Sequence, residues 1–219
     1  MTKAENRTLV KIRDIGFATA ALIPLSAAIQ PALAHHAMGG ATPSDFMEGL
    51  LSGLGHPIIG LDHFAFTVAV GLLSLACSRR YLMPLAFVAM TAVGTLLHVA
   101  AIDLPLAEIV IAISVLAGGA LLIIQRKIDW KVFAGLFAIA GLFHGFAYGE
   151  AVVGAEATPV IAYLIGFAMI QYAISVGAME AMRWIVRSGS VEQTLAARVA
   201  GGVVAGMALV FLSGHLMPF

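Results

Sequence analysis

Six apolar stretches follow one another through this chain, over 57–77, 82–101, 105–125, 131–151, 159–181 and 195–217. Each is close to the roughly 20 residues that a helix needs to cross a bilayer. In lipid a backbone must satisfy its own N–H and C=O groups, so runs of this length read as helices. The 219 residues are 61% hydrophobic and 11% charged, whereas a soluble domain is nearer 45–50% apolar and about 25% charged. Too little polar surface remains to cover a water-soluble globule. The expectation is an all-α polytopic membrane protein with six transmembrane helices. A soluble enzyme, a disordered chain and a basic nucleic-acid binder are excluded. Cys77 is the only cysteine, which excludes a disulfide framework and a cysteine-rich zinc or iron–sulfur site.

The connections between the stretches carry the charge, and they alternate. Arg79 and Arg80 follow the first stretch; Arg126, Lys127 and Lys131 lie around the third connection; Arg183, Arg187 and Arg198 lie around the fifth. The other connections hold Asp103 and Glu108, then Glu150 and Glu156, with no Lys or Arg. The positive-inside rule places the basic connections in the cytoplasm. The formal net charge of zero is thus a sum over two faces of opposite sign.

The N-terminal segment reads as a cleavable signal peptide over 1–34. Lys3, Arg7, Lys11 and Arg13 precede an apolar run from Ile15 to Ile29, and Ala32-Leu33-Ala34 forms a small-x-small site. The expected organisation is a signal peptide, 1–34, and a single transmembrane domain, 35–219. Signal cleavage and the positive-inside rule agree on one topology. It puts the protein in the bacterial inner membrane with the mature N-terminus and the C-terminus on the periplasmic side. Cleavage after Ala34 exposes His35 and His36, and a free amine beside two imidazoles can hold Cu or Ni.

On this topology all seven histidines lie outside or in the outer halves of spans, with no basic residue among them. Imidazole and carboxylate without a competing cation suit a divalent transition metal. The sharpest segment runs from His56 through Pro57 and Gly60 to Asp62 and His63. Pro57 at the first helical position would make His56 the N-cap. His56 and His63 would then lie two turns apart on nearly one face, His63 about 9 Å below the helix start. A buried Asp–His pair in a span is costly and marks function. The second segment is Phe143 to Glu150, where His144 and Tyr148 are four apart and share a face. Weaker candidates are His98, at the end of the second span, and Glu108, at the start of the third. Glu180 and Arg183 read as a local ion pair. Glycines at four-residue spacing, Gly49 and Gly53, Gly141, Gly145 and Gly149, Gly202 and Gly206, read as packing ridges.

These motifs resemble the HupE/UreJ family of nickel/cobalt permeases over about residues 35–217. That family has a cleaved signal and six spans. Its His-x5-Asp-His motif is filled here by His56, Asp62 and His63, followed by a matching Ala69-Val70-Gly71. Leu104 to Glu108, leading into Ile113-Ser114-Val115-Leu116, resembles the family's third span. Its second motif reads Phe-His-Gly-x-Ala/Val-His-Gly-x-Glu, matched by Phe143, His144, Gly145, Ala147 and Gly149. Tyr148 stands where the family has His, and Ala151 where it has Glu. Glu150 replaces that Glu only if the helix end rotates by about 100°.

The resemblance implies secondary transport of a divalent cation as substrate, Ni or Co first, with Cu or Zn also suited to the donors. The expected metal residues are His56, Asp62, His63, His144, Glu150, His98, Glu108, His35 and His36. The expected partners are the lipid bilayer and the metal cation, with no nucleic acid; an oligomer or larger membrane complex stays open. The competing readings are a non-transporting metal-binding or assembly subunit and an intramembrane metalloenzyme.

Overall fold

The computed structural model describes residues 41–216. The expected signal peptide, with His35 and His36, lies outside the described residues. Those described form helices and loops without a strand: α1 (Phe46–Ile59), α2 (Leu61–Ser74), α3 (Met83–Val99), α4 (Ala107–Ile124), α5 (Trp130–Gly149), a 3-10 turn (Glu150–Val152), α6 (Ala157–Arg187) and α7 (Gln193–Leu216).

The first expected span is broken in two, which corrects the sequence reading. Its helix starts eleven residues earlier than expected, at Phe46 rather than 57. The Asp45 side chain accepts from Glu48 N at 2.9 Å, and Glu48 reaches back to the Ser44 amide and hydroxyl at 2.8 Å. This reciprocal capping satisfies donors that a helix start leaves orphaned. Pro57 therefore lies inside α1, and His56 sits in its last turn, not at an N-cap. Proline removes a donor and strains the turn before it, and the helix ends two residues later at Ile59. Gly60 takes an extended conformation, and α2 leaves at 80° to α1. A Cβ on Gly60 would lie 2.9 Å from the His63 ring, so the break closes tightly only on glycine.

Four described helices, α4 to α7, are long and apolar enough to cross a membrane, and the bent α1–α2 pair makes up to five. α3 has 17 residues, about 26 Å, slightly short of a hydrocarbon core of about 30 Å. α6 has 31 residues, against the 23 expected, and runs on through Arg183 to Arg187.

Eleven of the fourteen α2 residues are buried, which makes it the central element. It packs on α1, α3, α4, α6 and α7. Around it the main pairings are α3 with α5, α1 with α6, and α4 with α7. Glycine ridges set the closest approaches. A side chain on Gly145 would strike the Thr91 carbonyl of α3, and one on Gly53 the Tyr163 carbonyl of α6. Without a hydrophobic drive between helices in lipid, such close backbone contact supplies the packing energy. One expected ridge moves by a residue. Gly202 faces open space, and it is Gly201 that meets Gly119 of α4.

Candidate metal centre

The break at Gly60 determines the geometry of the site. It turns α2 nearly at a right angle to α1, so His56 and His63 meet across a bend rather than along one face. Their ring centroids are 6.1 Å apart. α5 brings His144 to the same place, with its ring 5.0 Å from that of His63. His56, His63 and His144 are at most 1% exposed. Asp62 is buried beside them, and its Oδ1 accepts from the His63 amide at 2.8 Å. It lies in the first turn of α2, where the helix N-terminus favours a negative charge.

The tautomers follow from counting protons. Tyr163 Oη donates to the Tyr148 carbonyl at 2.9 Å and lies 2.9 Å from His56 Nδ1. A hydroxyl has one proton, so His56 Nδ1–H is the donor to Tyr163, and the His56 lone pair is on Nε2. Ser114 Oγ donates to the Ile111 carbonyl at 2.7 Å and lies 2.9 Å from His144 Nε2. His144 Nε2–H therefore donates to Ser114, and His144 Nδ1 accepts. His63 Nδ1, 2.8 Å away, donates to it. The His63 lone pair is then also on Nε2. In the neutral rings the basic nitrogens are thus the two Nε2 atoms, with each ring held through its other nitrogen, as metal-ligating histidines usually are.

Tyr148 packs against both of these rings. It is fully buried, with ring centroids 4.4 Å from His63 and 4.9 Å from His56. Phe66 stacks on His144 at 4.6 Å, which holds that ring flat against α2. In this arrangement no three His, Cys, Asp or Glu side chains among the described residues converge on one point as a metal shell.

The other expected ligands lie elsewhere. Glu150 is exposed, while Ala151 is 7% exposed and faces inward. The 3-10 turn tightens the end of α5 but does not rotate Glu150 into the cluster. His98 is half-buried, and its Nδ1–H donates to the Phe146 carbonyl at 2.7 Å, tying α3 to α5. Glu108 and Asp103 are exposed. Sequence reasoning missed Tyr163, Ser114 and, one turn farther in, Gln171, which is 0% exposed. Each is a polar side chain in an apolar stretch, and that rarity was the available signal.

The family model for HupE / UreJ protein matches residues 23–211. The chain belongs to the HupE/UreJ family. Protein HupE of Rhizobium leguminosarum bv. viciae is 34% identical over 193 residues, covering 87% of this chain and 95% of that protein. No solved structure matches the chain. Of the HupE/UreJ motif residues, His56, Asp62, His63 and His144 are those gathered into the buried cluster, and Tyr148 lies among them in place of the family's second-motif histidine.

Proposed function

We propose that this protein is a secondary carrier that passes a divalent transition-metal cation, Ni²⁺ or Co²⁺ first, from the outer face to the cytoplasm. The observation that carries the reading is the buried group His56, His63 and His144 beside Asp62, with the lone pairs of His56 and His63 both on Nε2. Neutral imidazole with carboxylate suits Ni, Co and Zn, and Cu competes by affinity. Membership of a family associated with nickel and cobalt uptake supports it. So does the dominance of apolar helices.

In this proposal the chain crosses the bacterial inner membrane six times, with α3 as the shortest span and the basic connections inside. The ion sheds water onto His56 and His63 through Nε2, with Asp62 offsetting its charge. His144 acts mainly on His63, accepting its Nδ1–H and holding the ring in place. Tyr148, packed against both rings, shifts as the ion enters. An inside-negative potential supplies the drive, about 2.3 kcal/mol per charge per 100 mV, hence about 4.6 kcal/mol for a divalent ion.

The test is uptake of Ni²⁺, Co²⁺, Cu²⁺ and Zn²⁺ into proteoliposomes. Wild type is expected to carry Ni²⁺ or Co²⁺, and His63→Ala to abolish uptake at unchanged protein level. Equal uptake by the two proteins would sink the proposal. A second reading, a metal-binding or assembly subunit that does not transport, is favoured by one observation: the Tyr148 ring packs against both His56 and His63. That reading expects wild type to bind cation without carrying it.

A further inference from the structure

One helical turn along α2 from His63, toward Arg79 and Arg80, lies a second buried polar group that the function above does not use. Thr67 of α2, Thr91 of α3, and Gln171 and Ser175 of α6 are all 0% exposed. Their hydroxyl protons can be assigned in turn. Thr67 Oγ1 donates to the His63 carbonyl at 2.8 Å, and Ser175 Oγ to the Thr67 carbonyl at 2.9 Å. Thr91 Oγ1 lies 2.7 Å from the Val88 carbonyl and 3.0 Å from one arm of the Gln171 amide.

Thr91 cannot donate to both with one proton. Giving it to Val88 makes Thr91 an acceptor for Gln171, so the Gln171 NH₂ faces Thr91. Which arm of an amide is oxygen is assigned from such networks. The Gln171 carbonyl oxygen is then the other arm, which closes no short hydrogen bond. The Tyr148 hydroxyl, also buried, turns toward the Gln171 and Thr67 side chains without closing a short hydrogen bond to either. Buried polar atoms left open in this way are uncommon in native proteins. Two of them side by side, next to a cluster of imidazoles, point to a ligand that binds through oxygen.

We propose that Gln171, Tyr148 and Thr67 form a second cation station, built from oxygen donors alone, which receives the divalent ion from the histidine cluster on its way to the arginine-bearing end. The proposal rests on the transport reading above. Neutral oxygens hold a first-row cation less tightly than imidazole does. A pathway needs such a step, because an ion must bind well enough to enter and weakly enough to leave. The histidine cluster supplies capture, and the oxygen station supplies release.

The test compares wild type, Gln171→Leu and Gln171→Glu in two assays: equilibrium Ni²⁺ binding to purified protein, and Ni²⁺ uptake into proteoliposomes. Gln171→Leu is expected to bind within about twofold of wild type yet carry Ni²⁺ slower by about tenfold or more. Gln171→Glu keeps an oxygen donor at the same reach, and is expected to restore at least part of the lost rate. Uptake by Gln171→Leu at the wild-type rate overturns the station and leaves the carrier reading standing, since a water held there for structure alone would give that result. Loss of binding in both variants marks Gln171 as scaffolding and also overturns it. If wild type carries no cation, the carrier reading fails first and the station with it.

Discussion

His63 and His144 meet at 2.8 Å with no exposure to solvent, whereas Glu180 and Arg183 meet at 2.6 Å on an accessible helix end. The two contacts have similar lengths and opposite dependence on their surroundings. In the interior each proton has one assigned acceptor, from His63 through His144 and Ser114 to the Ile111 carbonyl. Removing one side chain strands another that is shielded from solvent. At the arginine end Tyr81 also joins the pair, donating to Glu180 at 2.7 Å and accepting from Arg183 at 3.0 Å. Water can substitute for any of these partners, so the same distances imply much less dependence. Short contacts in this protein therefore report importance only when read together with burial.

Three substitutions test that contrast, beginning with the largest expected effect. Gly145→Val drives a side chain into the Thr91 carbonyl, where two backbones meet with no space between them. Overpacking of a tight core costs about 1–3 kcal/mol or more, and here backbone rather than a flexible side chain must move. The expected outcome is little or no monodisperse protein after solubilisation. Recovery at wild-type yield and thermal stability would show that α3 and α5 do not rely on this contact.

Ser114→Ala comes next. It strands His144 Nε2–H in a dry interior, at about 1–3 kcal/mol for a buried unsatisfied donor. It should lower the thermal unfolding midpoint measurably and weaken Ni²⁺ binding by freeing the His144–His63 tautomers. An unchanged midpoint together with unchanged affinity would break the proton chain as drawn. Glu180→Gln is the smallest. The midpoint and Ni²⁺ uptake should both stay at wild-type values within error, because exposed ion pairs contribute little. A clear loss of either would mean that the arginine end is as partner-dependent as the histidine end.

Much of the architecture was legible in the sequence, for a physical reason. Apolar runs such as 105–125 and 131–151 match α4 and α5 to within two residues, because lipid leaves a backbone no alternative to internal hydrogen bonds. The Glu180–Arg183 pair was legible because it is local, three residues apart on one helix. The first span was not. Hydropathy does not distinguish a straight helix from two apolar helices joined at a bend, and Pro57 read as a start when it lies just before an end. Glu150 was unreadable for a related reason. One residue of register at a helix end decides which side chain faces inward, and there it is Ala151.

The sequence by itself determined that this is a helical membrane protein. It also singled out His56, Asp62, His63 and His144, since buried polar groups in lipid are too costly to occur without a role. Only the tertiary structure decided how they meet. The bend at Gly60 sets two helices at 80°, the glycine ridges bring α5 and α6 close enough for Tyr148, Tyr163 and Gln171 to reach the cluster or its inner side, and α4 supplies Ser114. Those partners come from segments up to 107 residues apart in the chain. No local pattern encodes such a meeting, because it depends on how closely separate helices can approach.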